Sequence, residues 1–308
     1  MVLSSDGDAR AAGAASAGRG DASNAPSGGA IVRAMTEFGI TSMNRSPFLW
    51  PGDPDLPGQI RAARAAGFGW FGPDVFSLER WQEEGRALEE IRDLIGAAEL
   101  GCFELPGFMV GPDPEETMER ARPAAVVAEV LRPQWIPVAI EGPAGDGVVE
   151  SYRRCADLFE PLGARIAMEF LPYKDVRSIG QAAGLVETVG PERTGMILDT
   201  WHFFRGPDGW PELEAVPVEL VAYVQFDDAL PLGSDDLASE TIHRRALPGE
   251  GEFDLAGFVV RLMAKGFAGV VSVEILSEEL RPLPPEEYAR RVFDASSAYW
   301  PPAPEEGP

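Results

Sequence analysis

Short apolar runs alternate with longer amphipathic stretches along the chain, and this alternation constrains the fold more than any other sequence feature. The apolar runs are nearly continuous, which is typical of strands buried on both faces, as in parallel sheets. The stretches between them have the apolar spacing of helices, for example at 79–101 and at 212–221. In chain order the eight runs read EFGITSM, FGWFGPDVF, CFELPGFMV, WIPVAI, RIAMEFL, TGMILDTW, VAYVQF and GVVSVEIL.

Eight strand–helix units over residues 31–300 match the (β/α)8 TIM barrel in number and size. An open, doubly wound sheet is the main alternative, but it usually has fewer strands. Its nucleotide-binding form also needs a Gly-x-Gly-x-x-Gly turn after the first strand, and no such turn follows EFGITSM. The sequence therefore predicts an α/β protein with a single barrel domain at 31–300.

The two ends of the chain differ from this pattern. Residues 1–30 are dominated by Ala, Gly and Ser, which bury too little surface to offset the entropy of ordering, so we predict a disordered tail. A secretory signal would need a basic start and an apolar stretch, and neither is present; a transit peptide is the alternative. Residues 301–308 are predicted to form a loose C-terminal tail.

Composition excludes several classes of function. The 308 residues include 26 Lys and Arg against 50 Asp and Glu, a net charge of −24. Such a surface repels nucleic-acid backbones and anionic membranes, and no apolar run approaches the roughly 20 residues that span a bilayer. Cys102 and Cys155 are the two cysteines, which is too few for a disulfide framework. We therefore predict a cytoplasmic protein without nucleic-acid or membrane partners.

Polar residues at the ends of the apolar runs carry the functional signal. Glu169, Asp199, Gln225 and Glu274 fall in or at the end of runs five to eight. Barrel enzymes place their chemistry at the C-terminal ends of the strands, so we expect these side chains to meet at one mouth. Buried carboxylates need pairing, protonation or a cation, and lysine is scarce in this chain. Oxygen ligands suit Mn²⁺ or Mg²⁺ better than Zn²⁺.

The two histidines and a pair of arginines complete the set of candidates. His202 follows Asp199 by three positions, and both side chains reach the mouth only if the chain curls after Asp199. His243 and the arginines after it, Arg244 and Arg245, precede a Pro-Gly-x-Gly segment that predicts a tight, fixed loop. We expect His243 and one of these arginines to bind an anionic or hydroxylated substrate. Trp201 falls in a strand-end loop, where it either stacks on a sugar ring or packs the loop.

These residues together resemble the sugar phosphate isomerase/epimerase family of xylose isomerase-like barrels. The similarity covers nearly all of residues 35–298. It is strongest in MEFLPY at 168–173, LDTWH at 198–202, VQFDDA at 224–229, HRRALPGEG at 243–251 and VSVEIL at 271–276.

The resemblance implies a role for each matching residue. Glu169, Asp199 and Glu274 match the metal-binding carboxylates of the family, and the two glutamates also match its acid/base pair. His202 and Arg245 match residues that contact substrate. Gln225 stands where the better-known sugar epimerases have a metal-ligating histidine.

A second departure lies at the second strand end, where GWFGPDV replaces the common Gly-Phe-x-x-Val-Glu pattern. The polar contact that the family pattern implies at this strand end is therefore either absent or made by Asp74 instead.

Proton abstraction next to a carbonyl is the chemistry that these residues support. We expect a divalent-metal-dependent isomerase or epimerase acting on a sugar, keto-polyol or related hydroxy-ketone, with a dehydratase or lyase as the alternative. Mn²⁺ is the expected metal, with Mg²⁺, Co²⁺ or Zn²⁺ as alternatives. The expected partner is a small-molecule substrate. The sequence leaves open whether the chain forms a homo-oligomer.

Two other classes are less compatible with this sequence. An endonuclease acting at abasic DNA sites uses the same barrel but needs several histidines and a basic groove. A barrel that has lost catalysis and only binds a ligand would not need to retain all three carboxylates.

Overall fold

Parallel strands form a curled sheet in the computed structural model of the chain, which describes residues 36–207 and 209–300. The predicted tails at 1–30 and 301–308, and the predicted domain start at residue 31, lie outside the described residues. The strands are β1 Phe38–Thr41, β2 Trp70–Gly72, β3 Gly101–Cys102, β4 Phe108–Val110, β5 Trp135–Ile140, β6 Arg165–Glu169, β7 Thr194–Asp199, β8 Val221–Phe226, β9 Asp228–Ala229, β10 Arg245–Ala246 and β11 Val271–Val273.

The main sheet closes on itself, as the barrel prediction requires. Its strand order is β3-β2-β1-β11-β8-β7-β6-β5-β4, and each strand pairs in parallel with its neighbours. Closure comes from a parallel bridge between Glu104 and Trp135. Trp135 donates its backbone N–H to Phe103 over 2.9 Å and accepts one from Leu105 over 3.1 Å. The fold is thus the predicted α/β barrel, and β9 and β10 form a separate antiparallel pair.

The third apolar run, CFELPGFMV, is split instead of forming one strand. It contributes β3, which pairs with β2, and β4, which pairs with the second half of β5. Pro106 and Gly107 separate the two, because proline has no N–H to give to a ladder. Gly107 has a φ of +149°, and a Cβ there would lie 1.9 Å from a methyl carbon of Val75.

The helices follow the predicted stretches with three differences. The stretch at 79–101 is two helices separated by Gly85, whose φ is +78°. The pattern at 212–221 ends early and is followed by a 3-10 turn. Two helices of six and seven residues, Thr200–Arg205 and Leu237–His243, are too short to show a periodic pattern. The bounds are α1 Leu56–Ala66, α2 Val75–Glu83, α3 Leu88–Ala97, α4 Pro114–Leu131, α5 Asp146–Phe159, α6 Ile179–Val189, α7 Thr200–Arg205, α8 Gly209–Ala215, α9 Leu237–His243, α10 Leu255–Ala264 and α11 Pro285–Ser297.

Apolar side chains fill the lower part of the barrel interior. The cluster there includes Phe103, Trp135, Ile197, Tyr223 and Val270, all buried. This apolar cluster lies towards the N-terminal ends of the strands. The polar residues at the strand ends, such as Glu169 and Asp199, therefore lie above it, at the C-terminal mouth. In the described part of the chain, no helix has both the length and the apolar character needed to cross a membrane.

We expect Gly107→Ala to destabilise the barrel by about 1–3 kcal/mol. The added methyl group meets Val75, and the backbone at Gly107 is one that alanine adopts only with strain. Urea unfolding measures the change. Gly96→Ala is the matched control, because Gly96 lies inside α3 with open space around it and alanine favours a helix. Equal stability of Gly107→Ala and wild type would contradict the strain argument.

Candidate active site

The four predicted cation ligands lie at or just beyond the C-terminal ends of four neighbouring strands. Glu169 and Asp199 are the last residues of β6 and β7, and Gln225 is the second-last residue of β8. Glu274 directly follows β11. Asp199 and Gln225 are register partners across β7 and β8. All four residues therefore border the same mouth of the barrel.

Asp199 brings His202 back to this mouth by capping a helix. Its Oδ1 accepts the backbone N–H of His202 over 2.8 Å, so the chain turns into α7 directly after β7. This turn is the curl that the sequence requires. His202 Nε2 then lies 3.0 Å from Glu169 Oε1 and 3.9 Å from Asp199 Oδ2. One ligand atom from each of these three residues lies within 4.8 Å of the others.

Arg245 lies among the carboxylates instead of at the edge of the mouth. Its Nη1 is 2.7 Å from Asp199 Oδ2 and 3.5 Å from Glu274 Oε2, and it also pairs with Asp227. Thr241 accepts from Nε through its carbonyl and from Nη2 through its hydroxyl, each over 3.0 Å. These bonds leave one Nη2 hydrogen for a further acceptor. Arg245 therefore acts as a buried counter-charge for these carboxylates. Its contact with substrate stays a prediction.

Asp227 is a member of this cluster that the sequence pattern does not single out. It is fully buried just after β8, and Thr200 donates its hydroxyl to Asp227 Oδ1 over 2.9 Å. The residue lies within VQFDDA, but its position beyond the strand end gives no indication that it pairs with Arg245. That pairing depends on β10, which returns alongside β9.

The buried acids of this cluster have shifted proton affinities. Burial alone raises the pKa of Asp199, but Arg245 and His202 outweigh burial, and the pKa is lowered overall. Burial raises the pKa of Glu274 well above its usual value, and Arg245 offsets only part of this. Burial likewise raises the pKa of Asp227 despite Arg245. Of these three acids, Asp199 therefore holds its negative charge most firmly.

Gln225 meets the requirement for an oxygen ligand. Its side chain is buried, and Oε1 has no hydrogen-bond partner among the described residues. A buried acceptor without a partner is costly, and a cation bound beside it removes that cost. This amide oxygen and the carboxylates of Glu169, Asp199 and Glu274 are the predicted ligand set, and such oxygens are typical of hard divalent cations. Of the three carboxylates, Glu169 and Asp199 belong to the group of close ligand atoms that includes His202, and Glu274 does not.

Aromatic rings surround His202. Trp201, predicted to touch substrate, is buried and packs edge-on against His202 at 5.4 Å. Tyr173, which the sequence pattern does not single out, also contacts the His202 ring at 6.4 Å, and its hydroxyl bonds to no described residue. Burial raises the pKa of Tyr173, and nearby Glu169 raises it further. The Tyr173 hydroxyl is therefore a neutral hydrogen-bond donor beside the carboxylates.

His243 is not brought into the cluster. It ends α9 and borders a cavity of about 380 Å³ together with Arg244 and Arg291. Its predicted role in substrate binding stays a prediction.

Two aspartates hold loops at the mouth. Asp228 Oδ2 accepts the backbone N–H groups of Gly249 and Gly251, each over 3.0 Å, and fixes the Pro-Gly-x-Gly loop as predicted. Asp74 caps α2 through Ser77 and accepts the hydroxyl of Ser42 over 2.5 Å. Asp74 therefore has a structural role at the second strand end, as the cap of α2 and a hydrogen-bond acceptor for Ser42.

The comparisons with known proteins agree with this geometry. Residues 60–298 match the family model described as xylose isomerase-like TIM barrel. The chain belongs to this family. The resemblance seen in the sequence and the predicted barrel are therefore both confirmed.

Curated relatives in this family carry enzyme names. An inosose isomerase from Halalkalibacterium halodurans is 30% identical over 143 residues, 46% of this chain and 50% of the relative. A 3-dehydroshikimate dehydratase from Pseudomonas aeruginosa is 30% identical over 245 residues, 74% of this chain and 37% of the relative. The chain thus spans about half the length of these relatives, or less.

Solved structures show the same fold. The IOLI protein, whose structure contains a zinc atom, matches with a TM-score of 0.74 at 17% identity. The match covers 86% of this chain and 98% of that one.

We expect Arg245→Met to lower the free energy of unfolding by about 3–5 kcal/mol, because the change leaves buried carboxylates without their cation. Urea unfolding in EDTA measures the effect. Arg64→Met is the matched control, since Arg64 pairs with Glu99 on the surface and its loss costs at most about 1 kcal/mol. Equal losses in the two variants would show that Arg245 does not compensate the cluster.

A second prediction concerns Glu104, a buried carboxyl in the barrel interior. Burial raises its pKa from 4.5 to about 7, although hydrogen bonds from Ser272 and Tyr223 oppose the rise. The folded state therefore binds this proton more tightly, and the contribution to stability falls as pH rises from 4.5 to 7. In EDTA, the stability of Glu104→Gln minus that of wild type should increase by about 2–3 kcal/mol between pH 5 and pH 8, because the wild-type contribution is lost over this range. A difference that is constant with pH would contradict the shift.

Proposed function

We propose that the chain is a divalent-metal-dependent isomerase or epimerase that removes a proton next to the carbonyl of a sugar, keto-polyol or related hydroxy-ketone. The observation that carries this proposal is the convergence of Glu169, Asp199 and Glu274 at the C-terminal mouth of the barrel. The names of the relatives support it, because an inosose isomerase acts on a small, sugar-like molecule.

The site fits a divalent cation. Glu169, Asp199, Gln225 and Glu274 would hold it, and the free buried oxygen of Gln225 is the structural support for this set. When bound, a divalent cation polarises carbonyl and hydroxyl oxygens as a Lewis acid and offsets negative charge that develops on them. We infer Mn²⁺ first and Mg²⁺ second, because the four donors are oxygens. Co²⁺ and Zn²⁺ are the further alternatives.

The chain's own residues supply the proton transfers. Glu169 and Glu274 come from β6 and from the end of β11, which β7 and β8 separate. One carboxylate takes the proton from carbon, and the other returns a proton. His202 holds Glu169 Oε1 in place, and the Tyr173 hydroxyl is free to donate to a substrate oxygen. Return of the proton to the opposite face gives epimerisation, and return to the neighbouring carbon gives isomerisation.

A dehydratase is the second candidate, and one observation favours it. The Pseudomonas aeruginosa 3-dehydroshikimate dehydratase matches 74% of this chain, whereas the Halalkalibacterium halodurans inosose isomerase matches 46%. The first step is the same. One glutamate takes the proton next to the carbonyl, the electron pair forms a C=C bond, and the β-hydroxyl leaves as water with a proton from the other glutamate.

The remaining expectations about the whole protein stay predictions. They are a cytoplasmic location, a homo-oligomeric state and the absence of nucleic-acid and membrane partners.

Incubation of the full chain with Mn²⁺ in D₂O tests the proposal. We expect NMR to show deuterium entering an inosose next to its carbonyl, or loss of water from 3-dehydroshikimate if the second candidate is right. Glu169→Gln and Glu274→Gln should each lower the rate by roughly 10²–10⁴-fold, because each removes a proton-transfer group. Glu187→Gln, an exposed position on α6, is the control and should leave the rate unchanged.

Three results would contradict parts of the proposal. A fully active Glu169→Gln or Glu274→Gln protein would remove that residue from the mechanism. Turnover without deuterium uptake would point to hydride transfer. Turnover that is insensitive to EDTA and to added Mn²⁺ would exclude the cation.

A further inference from the structure

Glu104 is a buried carboxyl group that the proposed reaction does not use. It lies at the bridge that closes the barrel, and its side chain crosses the interior to β8 and β11. Tyr223 donates its hydroxyl to Oε2 and Ser272 donates to Oε1, each over 2.5 Å. A Cβ at Gly72 would lie 2.5 Å from the Glu104 side chain, so the neighbouring strand leaves room for this carboxyl group only because it has glycine there.

The two hydroxyl donors place Glu104 directly beneath the proposed cation ligands. Tyr223 precedes Gln225 by two residues, and Ser272 precedes Glu274 by two. Residues two apart along a strand face the same side and are separated by about 6–7 Å. The Glu104 carboxyl group, held by Tyr223 and Ser272, therefore lies on the side of Glu274 and Gln225 that is away from the mouth, and Ser272 is also the register partner of Gln225.

The charge of Glu104 has no cationic partner. Within residues 36–207 and 209–300 no Lys, Arg or His forms an ion pair with it, and Arg245 bonds to other carboxylates. The titratable groups that face Glu104 are Cys102 at the end of β3, Tyr223 on β8, Glu169 on β6 and Glu274 after β11. All of these groups are neutral or negative, so none of them compensates an ionised Glu104.

We propose that Glu104 is an electrostatic part of the cation site, which keeps a proton while no divalent cation is bound and releases it to solvent when one binds. Glu104 is a positioning residue, because it acts on the cation through space and through Tyr223 and Ser272 without ligating it. The inference rests on the metal dependence in the proposed function.

Linkage between the two binding events follows from the geometry. A cation at the proposed site favours the ionised carboxylate of Glu104, so cation binding lowers proton affinity. By thermodynamic reciprocity the ionised carboxylate raises the affinity for the cation by the same factor. The pKa of about 7 in the metal-free protein means that the group is partly protonated near neutral pH, where release can be measured. The hydrogen bonds from Tyr223 and Ser272 stabilise the ionised form of Glu104, so the interior of the barrel can accommodate its negative charge.

Titration calorimetry of the full chain with MnCl₂ tests this inference without any substrate. Runs at pH 7 in buffers with different ionisation enthalpies give the affinity for Mn²⁺ and the number of protons released per ion. We expect Glu104→Gln to bind Mn²⁺ about tenfold more weakly at pH 8 and to release about half a proton fewer at pH 7. Glu187→Gln removes the same unit charge from the surface of α6 and should match wild type in both quantities.

Ser272→Ala is the second variant and keeps the carboxyl group. Without this hydroxyl the ionised form of Glu104 is less stable, so Mn²⁺ affinity at pH 7 should fall, and it should recover towards the wild-type value at pH 9. This pH-dependent recovery distinguishes an electrostatic role from a loss of structure, and it keeps the inference testable if Glu104→Gln does not fold.

The outcomes separate this inference from the proposed function. Wild-type affinity and proton release in both Glu104→Gln and Ser272→Ala would overturn the role of Glu104 and leave the metal site intact. Failure of the wild-type chain to bind Mn²⁺ would overturn both the inference and the metal dependence.

Discussion

Excess negative charge at the mouth of the barrel is the constraint on which the rest of the site depends. Glu169, Asp199 and Glu274 converge there from separate strands, and Asp227 joins them from a loop. Among the described residues, Arg245 is the buried arginine placed between them. One guanidinium does not balance four carboxyl groups, and desolvation makes the imbalance costly. Part of the negative charge is removed by proton binding at Glu274 and Asp227, whose pKa values are raised, and the remaining charge is what supports the proposed cation.

This imbalance also explains why the pKa values of neighbouring acids move in opposite directions. Asp199 accepts the N–H at the start of α7 and faces Arg245, so its ionised form is stabilised. Glu274 lies further from Arg245 and is buried beside other carboxylates, so its neutral form is favoured. One site thus contains acids of high and low proton affinity, which is the arrangement that acid–base chemistry requires.

Much of the fold and part of the site could be predicted from the sequence. Runs such as WIPVAI and VAYVQF coincide with β5 and β8, because continuous apolar residues are strongly selected for a doubly covered parallel strand. Glu169 and Asp199 stand out because a charge that ends an apolar run is expensive to bury. The sequence pattern does not predict the break at Pro106 and Gly107 or the helix α7, because both depend on local turns that lack periodicity.

The sequence by itself determined which polar side chains stand at the ends of the strands, since strand ends follow from local hydrophobicity. Only the tertiary structure decided which of these side chains meet. Glu104 lies 119 positions from Tyr223 and 168 from Ser272, and Arg245 lies 46 positions from Asp199. Contacts at such separations arise from closure of the barrel, which brings distant strands together around one axis. The residues that compensate or supplement the proposed cation site therefore become visible only in three dimensions.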